Sequence, residues 1–228
     1  MKISGLQKLT LLDYPGKVAC TVFTPGCNFR CPFCHNASLV FDRVEQISEA
    51  EVLSFLDKRK GILDGVCITG GEPTLQKDLG DFIRKIKEKG FLVKLDTNGT
   101  FPDRLQALLD GGVLDYVAMD IKGAKETYPA AAGVENALVE KVARSVRLLE
   151  SSSVPHEFRT TTVKGIHTAN DFKNIAQWIA GAKDYYIQQY NASDDLIGEA
   201  FESFSKEELE AFADLVRPYV GQVTVRGV

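Results

Sequence analysis

The sequence predicts an α/β fold, with parallel strands inside and helices outside, from three observations. Short β-branched runs alternate with amphipathic stretches along the 228 residues. Six such strand–helix repeats follow one another, the pattern of a parallel sheet covered by helices. No linker-like, low-complexity or charge-block segment interrupts them, so residues 1–228 are expected to form a single domain. Six units fall short of an eight-fold barrel, leaving an open doubly wound sheet or a partial barrel, with right-handed crossovers in either case.

The predicted strands are VACTVF (18–23), GVCITG (65–70), LVKLDT (92–97), DYVAMDIK (115–122), EFRTTTV (157–163) and YYIQQY (185–190). Helical patterns lie between them. ISEAEVLSFLDKRK (47–60) opens with Ser48 and Glu51 at capping-box spacing. LGDFIRKIKEKG (79–90) gathers Phe82, Ile83 and Ile86 on one face and stops at Gly90. PDRLQALLDGG (102–112) begins with proline and ends in glycines. ENALVEKVARSVRLLE (135–150), NDFKNIAQWIAGA (170–182) and SKEELEAFADLVRPY (205–219) complete the series, the last with a second capping pair, Ser205 and Glu208.

A net charge of -4 leaves no electrostatic footprint for nucleic acid. No stretch approaches the roughly 20 apolar residues of a membrane helix, and MKISGLQKLTLLDYPGK is too broken by polar residues for a signal peptide. A cytoplasmic protein is expected. Five cysteines, three of them clustered, suit metal binding or chemistry better than a disulfide framework.

Ligands of such sheets sit at the C-terminal ends of the strands, and the unusual segments fall there. TPGCNFRCPFCHN (24–36) follows the first predicted strand, GGEPT the second, DTNGT the third and MDIKG the fourth. Cys20 and Cys67 lie inside strands and read as small buried hydrophobes. Cys27, Cys31 and Cys34 share one loop at C-x3-C-x2-C spacing. Structural zinc is the bland alternative, with adjacent His35 as the fourth ligand; zinc ligands, however, usually come in two spaced pairs, and no second pair exists. His156 and His167 are isolated and read as surface or core residues. A [4Fe–4S] cluster usually takes four thiolates. Three would leave one iron open, which is how a metal centre becomes catalytic.

C-x3-C-x2-C with an aromatic, Phe33, before the third cysteine resembles the hallmark of the radical S-adenosylmethionine (SAM) enzymes. The resemblance implies a partial (β/α)6 TIM-like barrel of the radical SAM type and one [4Fe–4S] cluster held by Cys27, Cys31 and Cys34. SAM would chelate the open iron, and its reductive cleavage would give a 5′-deoxyadenosyl radical that abstracts hydrogen. Phe33 joins the cofactor contacts. Gly70, Gly71 and Glu72 resemble the GGE segment that holds the methionyl amino group, where glycines allow close approach and a carboxylate suits an ammonium. Asp96, Thr97 and Asn98 resemble the DTNG segment near the SAM ribose and carboxylate, and Asp120 and Lys122 the D-x-K of activating enzymes. Asp96 and Asp120 are further expected to share a monovalent cation. Arg159 aligns with an arginine that contacts SAM, and an arginine inside a β-branched run calls for an anionic partner. No side chain is assigned as general acid or base.

GLQKLTLLDYPGKVACTVFTPGCNFRCPFCHN and the C-terminal VTVRGV resemble the activating proteins of anaerobic (class III) ribonucleoside-triphosphate reductase, along essentially the whole chain. Those proteins generate a glycyl radical on their partner with an electron from flavodoxin or ferredoxin. Pyruvate formate-lyase activases carry a histidine where this chain has Asn191. The alternatives are an activase of another glycyl radical enzyme, a radical SAM enzyme acting on a small molecule or peptide, and a zinc- or cluster-binding structural protein.

Overall fold

The computed structural model describes residues 1–228 apart from the side chain of Ala137. Eight strands form one sheet: β1 (Gly5–Thr10), β2 (Ala19–Thr24), β3 (Gly65–Gly70), β4 (Leu92–Thr97), β5 (Tyr116–Asp120), β6 (His156–Thr162), β7 (Asp184–Gln189) and β8 (Gln222–Arg226). Their spatial order is their chain order. β1 runs antiparallel to β2, and every later pair is parallel. A doubly wound sheet reverses its order at a switch point; this one does not. Among the described residues no pairing joins β8 back to β1, so the wall stays open. The result is a partial barrel.

Among the described residues eight α-helices form: α1 (Ala37–Val40), α2 (Glu49–Asp57), α3 (Leu79–Glu88), α4 (Pro102–Asp110), α5 (Tyr128–Ala132), α6 (Asn136–Glu150), α7 (Ala169–Trp178) and α8 (Lys206–Val216). All six predicted strands and helices are present, with ends shifted by a few residues. β1 and β8 escape the periodicity because they are edge strands with mostly half-exposed or exposed residues. The short α1 and α5 are below the length that a 3.6-residue period can reveal. α7 ends at Trp178, ahead of the sharp turn at Gly181.

Both expected capping boxes form. Ser48 Oγ accepts from Glu51 N at 3.2 Å while Ser48 N donates to Glu51 Oε2 at 2.8 Å. Ser205 and Glu208 repeat the pattern. α7 carries a third box, Thr168 with Asp171.

Period-two alternation sorts each strand into an outer and an inner face. Outer residues such as Val93 and Leu95 pack under helices, whose apolar faces (Phe82, Ile83 and Ile86 on α3) are fully buried. The inner face is polar, with Thr21, Lys94, Asp96 and Glu157 all buried. At the N-terminal ends of the strands the turn at Tyr14, Pro15 and Gly16 acquires a role that its composition does not reveal. Tyr14 is 3% exposed and packs against Tyr116, with ring centroids 6.1 Å apart. Asp13 accepts from Thr21 Oγ1 at 2.5 Å. This segment plugs the lower mouth and leaves the C-terminal ends open for a ligand.

Removing the α2 cap should lower stability without touching the strand ends. Ser48→Ala should cost about 1 kcal/mol, read as a fall of about 2–4 °C in thermal midpoint.

Candidate functional site

The loop after β2 is held from several sides. Arg30 N donates to Ala132 O at 2.9 Å, and the Arg30 guanidinium donates to the carbonyls of Cys27 (2.6 Å) and Phe29 (2.7 Å). Residues after β7 close over it: Ile197 N donates to Cys34 O and Gly198 N to Pro32 O, both at 3.1 Å. The Asp195 carboxylate accepts from Ser38 N at 3.0 Å at the start of α1. Cys31 is buried, and Cys27 and Cys34 are half-buried. Burial pushes the thiols up, Cys27 to about 11 and Cys31 to about 12. Cys27 Sγ accepts from Phe29 N at 3.4 Å and from Asn98 Nδ2 at 3.9 Å. Such N–H···S contacts suit a metal-bound thiolate.

Among the described residues, no three His, Cys, Asp or Glu side chains converge on a point that one ion could occupy. Structural zinc requires that convergence. A cluster does not, because each thiolate meets a different iron. The residues therefore fit a polynuclear cluster better than zinc, with His35 as a neighbour of the loop.

Gly70 and Gly71 are required by the backbone. Gly70 has φ +121°, and a Cβ there would strike Thr24; one on Gly71 would strike the Gly26 carbonyl. The close approach brings Gly71 N to Thr24 O (2.9 Å) and Glu72 N to Gly26 O (2.8 Å), fastening the end of β3 to the cysteine loop. Glu72, expected from the sequence to meet an ammonium, has its carboxylate engaged inside the protein. It is 0% exposed. Oε1 accepts from Thr74 N (3.0 Å), Thr97 Oγ1 (2.7 Å) and the Thr74 hydroxyl, and Oε2 accepts from Asn98 N (2.6 Å). Burial raises its pKa despite those four donors. Glu72 thus ties the ends of β3 and β4 together. Asn98 carries the connection onward, donating to Asn28 Oδ1 at 2.9 Å.

Below this tie lies a charge network on the inner ends of β4, β5 and β6. Arg159 bridges two carboxylates, Asp120 Oδ1 at 2.5 Å through Nε and Asp96 Oδ2 at 3.1 Å through Nη2. Lys122 Nζ lies 2.9 Å from Asp120 Oδ2, and Lys94 pairs with Asp96. The guanidinium lies between the two aspartates that are expected from the sequence to share a monovalent cation. Burial works against ionisation of Asp120, but Arg159 and then Lys122 outweigh it and hold the carboxyl well below the usual range. The same pairings hold Lys122 charged against burial. Three cations face two carboxylates, so the network carries surplus positive charge. Lys94, 2% exposed, is absent from the sequence-derived site; a lysine between Val93 and Leu95 was the available signal.

Cys27, Cys31, Cys34, Phe33, Gly70, Gly71, Glu72, Asp96, Thr97, Asn98, Asp120, Lys122 and Arg159 all line one cavity of about 340 Å³. Phe33 forms part of its wall, edge-on to His167 with ring centroids 6.0 Å apart. The cavity adds residues that carry no motif, among them Gln7, Phe23, His35, Asn36, Thr161 and Gln188. Cys20 is buried in β2 outside it. Cys67 lies on the inner face, its Sγ 3.7 Å from Asp96 Oδ1.

The sequence profile of the radical SAM superfamily matches residues 21–179. A protein of Methanocaldococcus jannaschii, named provisionally as a glycyl-radical enzyme activating enzyme, is 32% identical over 233 residues, covering 99% of this chain and 96% of its own length. A protein of Thermococcus kodakarensis, named provisionally as a GTP 3′,8-cyclase, is 30% identical over 149 residues, 63% of this chain and 47% of its own. Among solved structures, Streptococcus suis SuiB bound to the precursor peptide SuiA has the same fold, with a TM-score of 0.72 and 13% identity, over 91% of this chain and 48% of SuiB.

Two substitutions test the geometry. Glu72→Gln turns an amide NH2 toward an N–H or hydroxyl donor whichever way it is placed, and should cost about 1–3 kcal/mol in urea unfolding. Asp120→Asn leaves Arg159 and Lys122 short of an anion and should cost about 3 kcal/mol at neutral pH. Because the folded pKa of Asp120 lies below its unfolded value of about 3.9, its contribution is fully present above that pH and is lost as pH falls through the folded pKa. The gap between wild type and variant should therefore stay constant from neutral pH down to about 5 and narrow below about 4.

Proposed function

The chain belongs to the radical SAM superfamily, and from that premise we propose that it is a glycyl radical activase acting on anaerobic ribonucleoside-triphosphate reductase. The cofactors of the family are a [4Fe–4S] cluster and SAM. Bound together, they supply a one-electron cleavage of the SAM sulfonium and a carbon radical that takes a hydrogen atom. The residues of this chain bind, orient and shield. Cys27, Cys31 and Cys34 hold three irons and leave the fourth for SAM. Gly70 and Gly71, which have no side chains, let the backbone approach the methionyl amino group. Asp96, Thr97 and Asn98 border the ribose side, and Phe33 lines the cofactor wall. Arg159 and Lys122 answer the SAM carboxylate with the surplus charge of their network. With only Cys20 and Cys67 outside the loop, the chain holds one cluster.

The observation that carries this reading is the meeting of the three-thiol loop and the three later strand-end segments around one cavity. The full-length relative favours an activase. A nucleotide substrate is the second reading, prompted by the cyclase relative. Its support is narrower: the cyclase relative matches 63% of this chain and 47% of its own length, against 99% and 96% for the activase relative. Flavodoxin or ferredoxin is the electron donor in this proposal, and the partner's glycine loop enters at the open barrel mouth.

Anaerobic reconstitution should load about four irons per chain; Cys31→Ala should abolish this and Cys20→Ala should not. The decisive measurement is electron paramagnetic resonance of the reductase subunit after incubation with this protein, SAM and reductant. A glycyl doublet is expected, and its absence while SAM is being cleaved would sink the activase reading.

A further inference from the structure

The cavity has two unlike walls. On one, Glu72, Asp96, Asp120, Lys122 and Arg159 are tied up by one another and by their neighbours. On the other stand three neutral polar side chains with no protein partner. Thr161 on β6 and Gln188 on β7 sit side by side in register and both line the cavity. Asn36, which leads from the cysteine loop into α1, lines it too and makes no side-chain cap to that helix. Among the described residues none of these three side chains hydrogen-bonds another protein group, and all three are half-buried. Partly desolvated polar groups without partners favour a ligand that supplies hydrogen bonds.

The chemistry of the groups narrows the ligand. A carboxamide presents one carbonyl acceptor and an NH2 donor, and a hydroxyl does both. That set matches the peptide group, with its single N–H and C=O, and brings no positive charge to a phosphate or a carboxylate. A glycine has no side chain to be read, so its position can be fixed only through its flanking peptide groups and by the space around it. We propose that Asn36 and Gln188, assisted by Thr161, form the subsite that takes the peptide backbone on either side of the substrate glycine. This rests on the activase reading and supplies its substrate-positioning residues.

The test uses the reconstituted holoprotein and a synthetic peptide carrying the glycine loop of the reductase. The rate of 5′-deoxyadenosine formation is followed against peptide concentration, and SAM affinity is measured by equilibrium dialysis. Gln188→Ala and Asn36→Ala should each raise the half-saturating peptide concentration roughly tenfold, with the maximal rate within about twofold. Gln188→Glu, which keeps the shape but loses the donor and adds charge, should do the same. Iron content and thermal midpoint verify that each variant is folded. An unchanged half-saturation in all three variants overturns the subsite, as does a parallel loss of SAM affinity, which would give these residues to the cofactor. The wild-type doublet separates the two ideas. If it forms and half-saturation does not move, the subsite alone fails; if it never forms, the activase reading falls and takes the subsite with it.

Discussion

A carboxylate with no access to water holds this site together. Glu72 lies at the end of β3 and receives donors from its own turn and from the end of β4. Its backbone N–H is fixed to the cysteine loop. Three segments distant in sequence therefore share one buried anion, and any shift in one would leave a donor or acceptor unsatisfied. An unmade buried hydrogen bond costs more than a made one contributes, which makes this arrangement rigid. It also frees the glycine backbone for close approach, because the side chain is committed elsewhere.

The charge network below supplies complementary rigidity. Asp96, Asp120 and Arg159 come from three adjacent strands, and their ion pairs cross the strand ladder where no helix can brace it. A fully closed barrel fills its interior with branched apolar side chains. This open one fills it with paired charges, which support a ligand site as well as packing. Tyr14 and Asp13 seal the other end, so the polar interior is reached from the C-terminal side.

The parts legible in the sequence were those that need unusual residues. Three loop cysteines, two glycines after a strand, and charges at strand ends are each costly without a purpose, and they identified the cavity wall. The strand–helix alternation likewise gave six repeats but left open-sheet and barrel topologies equal, because strand order is a long-range property. Lys94 stayed hidden because a strand pattern tolerates one long polar residue. Asn36, Thr161 and Gln188 stayed hidden because neutral polar residues carry no motif. Glu72 was found, but its direction was not: whether a carboxylate faces inward depends on donors more than twenty residues away, such as Asn98 N, 26 positions on. Asp96 and Asp120 were paired correctly in space, yet their bridge is Arg159, contributed by a later strand.

The sequential strand order has a consequence for how the protein is made. Synthesis runs from the N-terminus, and early segments begin to organise while later ones are still being translated. The cysteine loop leaves the ribosome among the first segments, yet its anchors arrive far apart in time. Ala132 comes with α5, and Ile197 and Gly198 only after β7. The tie from Asp195 to Ser38 spans 157 positions. The thiols thus exist long before their enclosure is complete, so the nascent chain carries them through most of its synthesis without their final shelter.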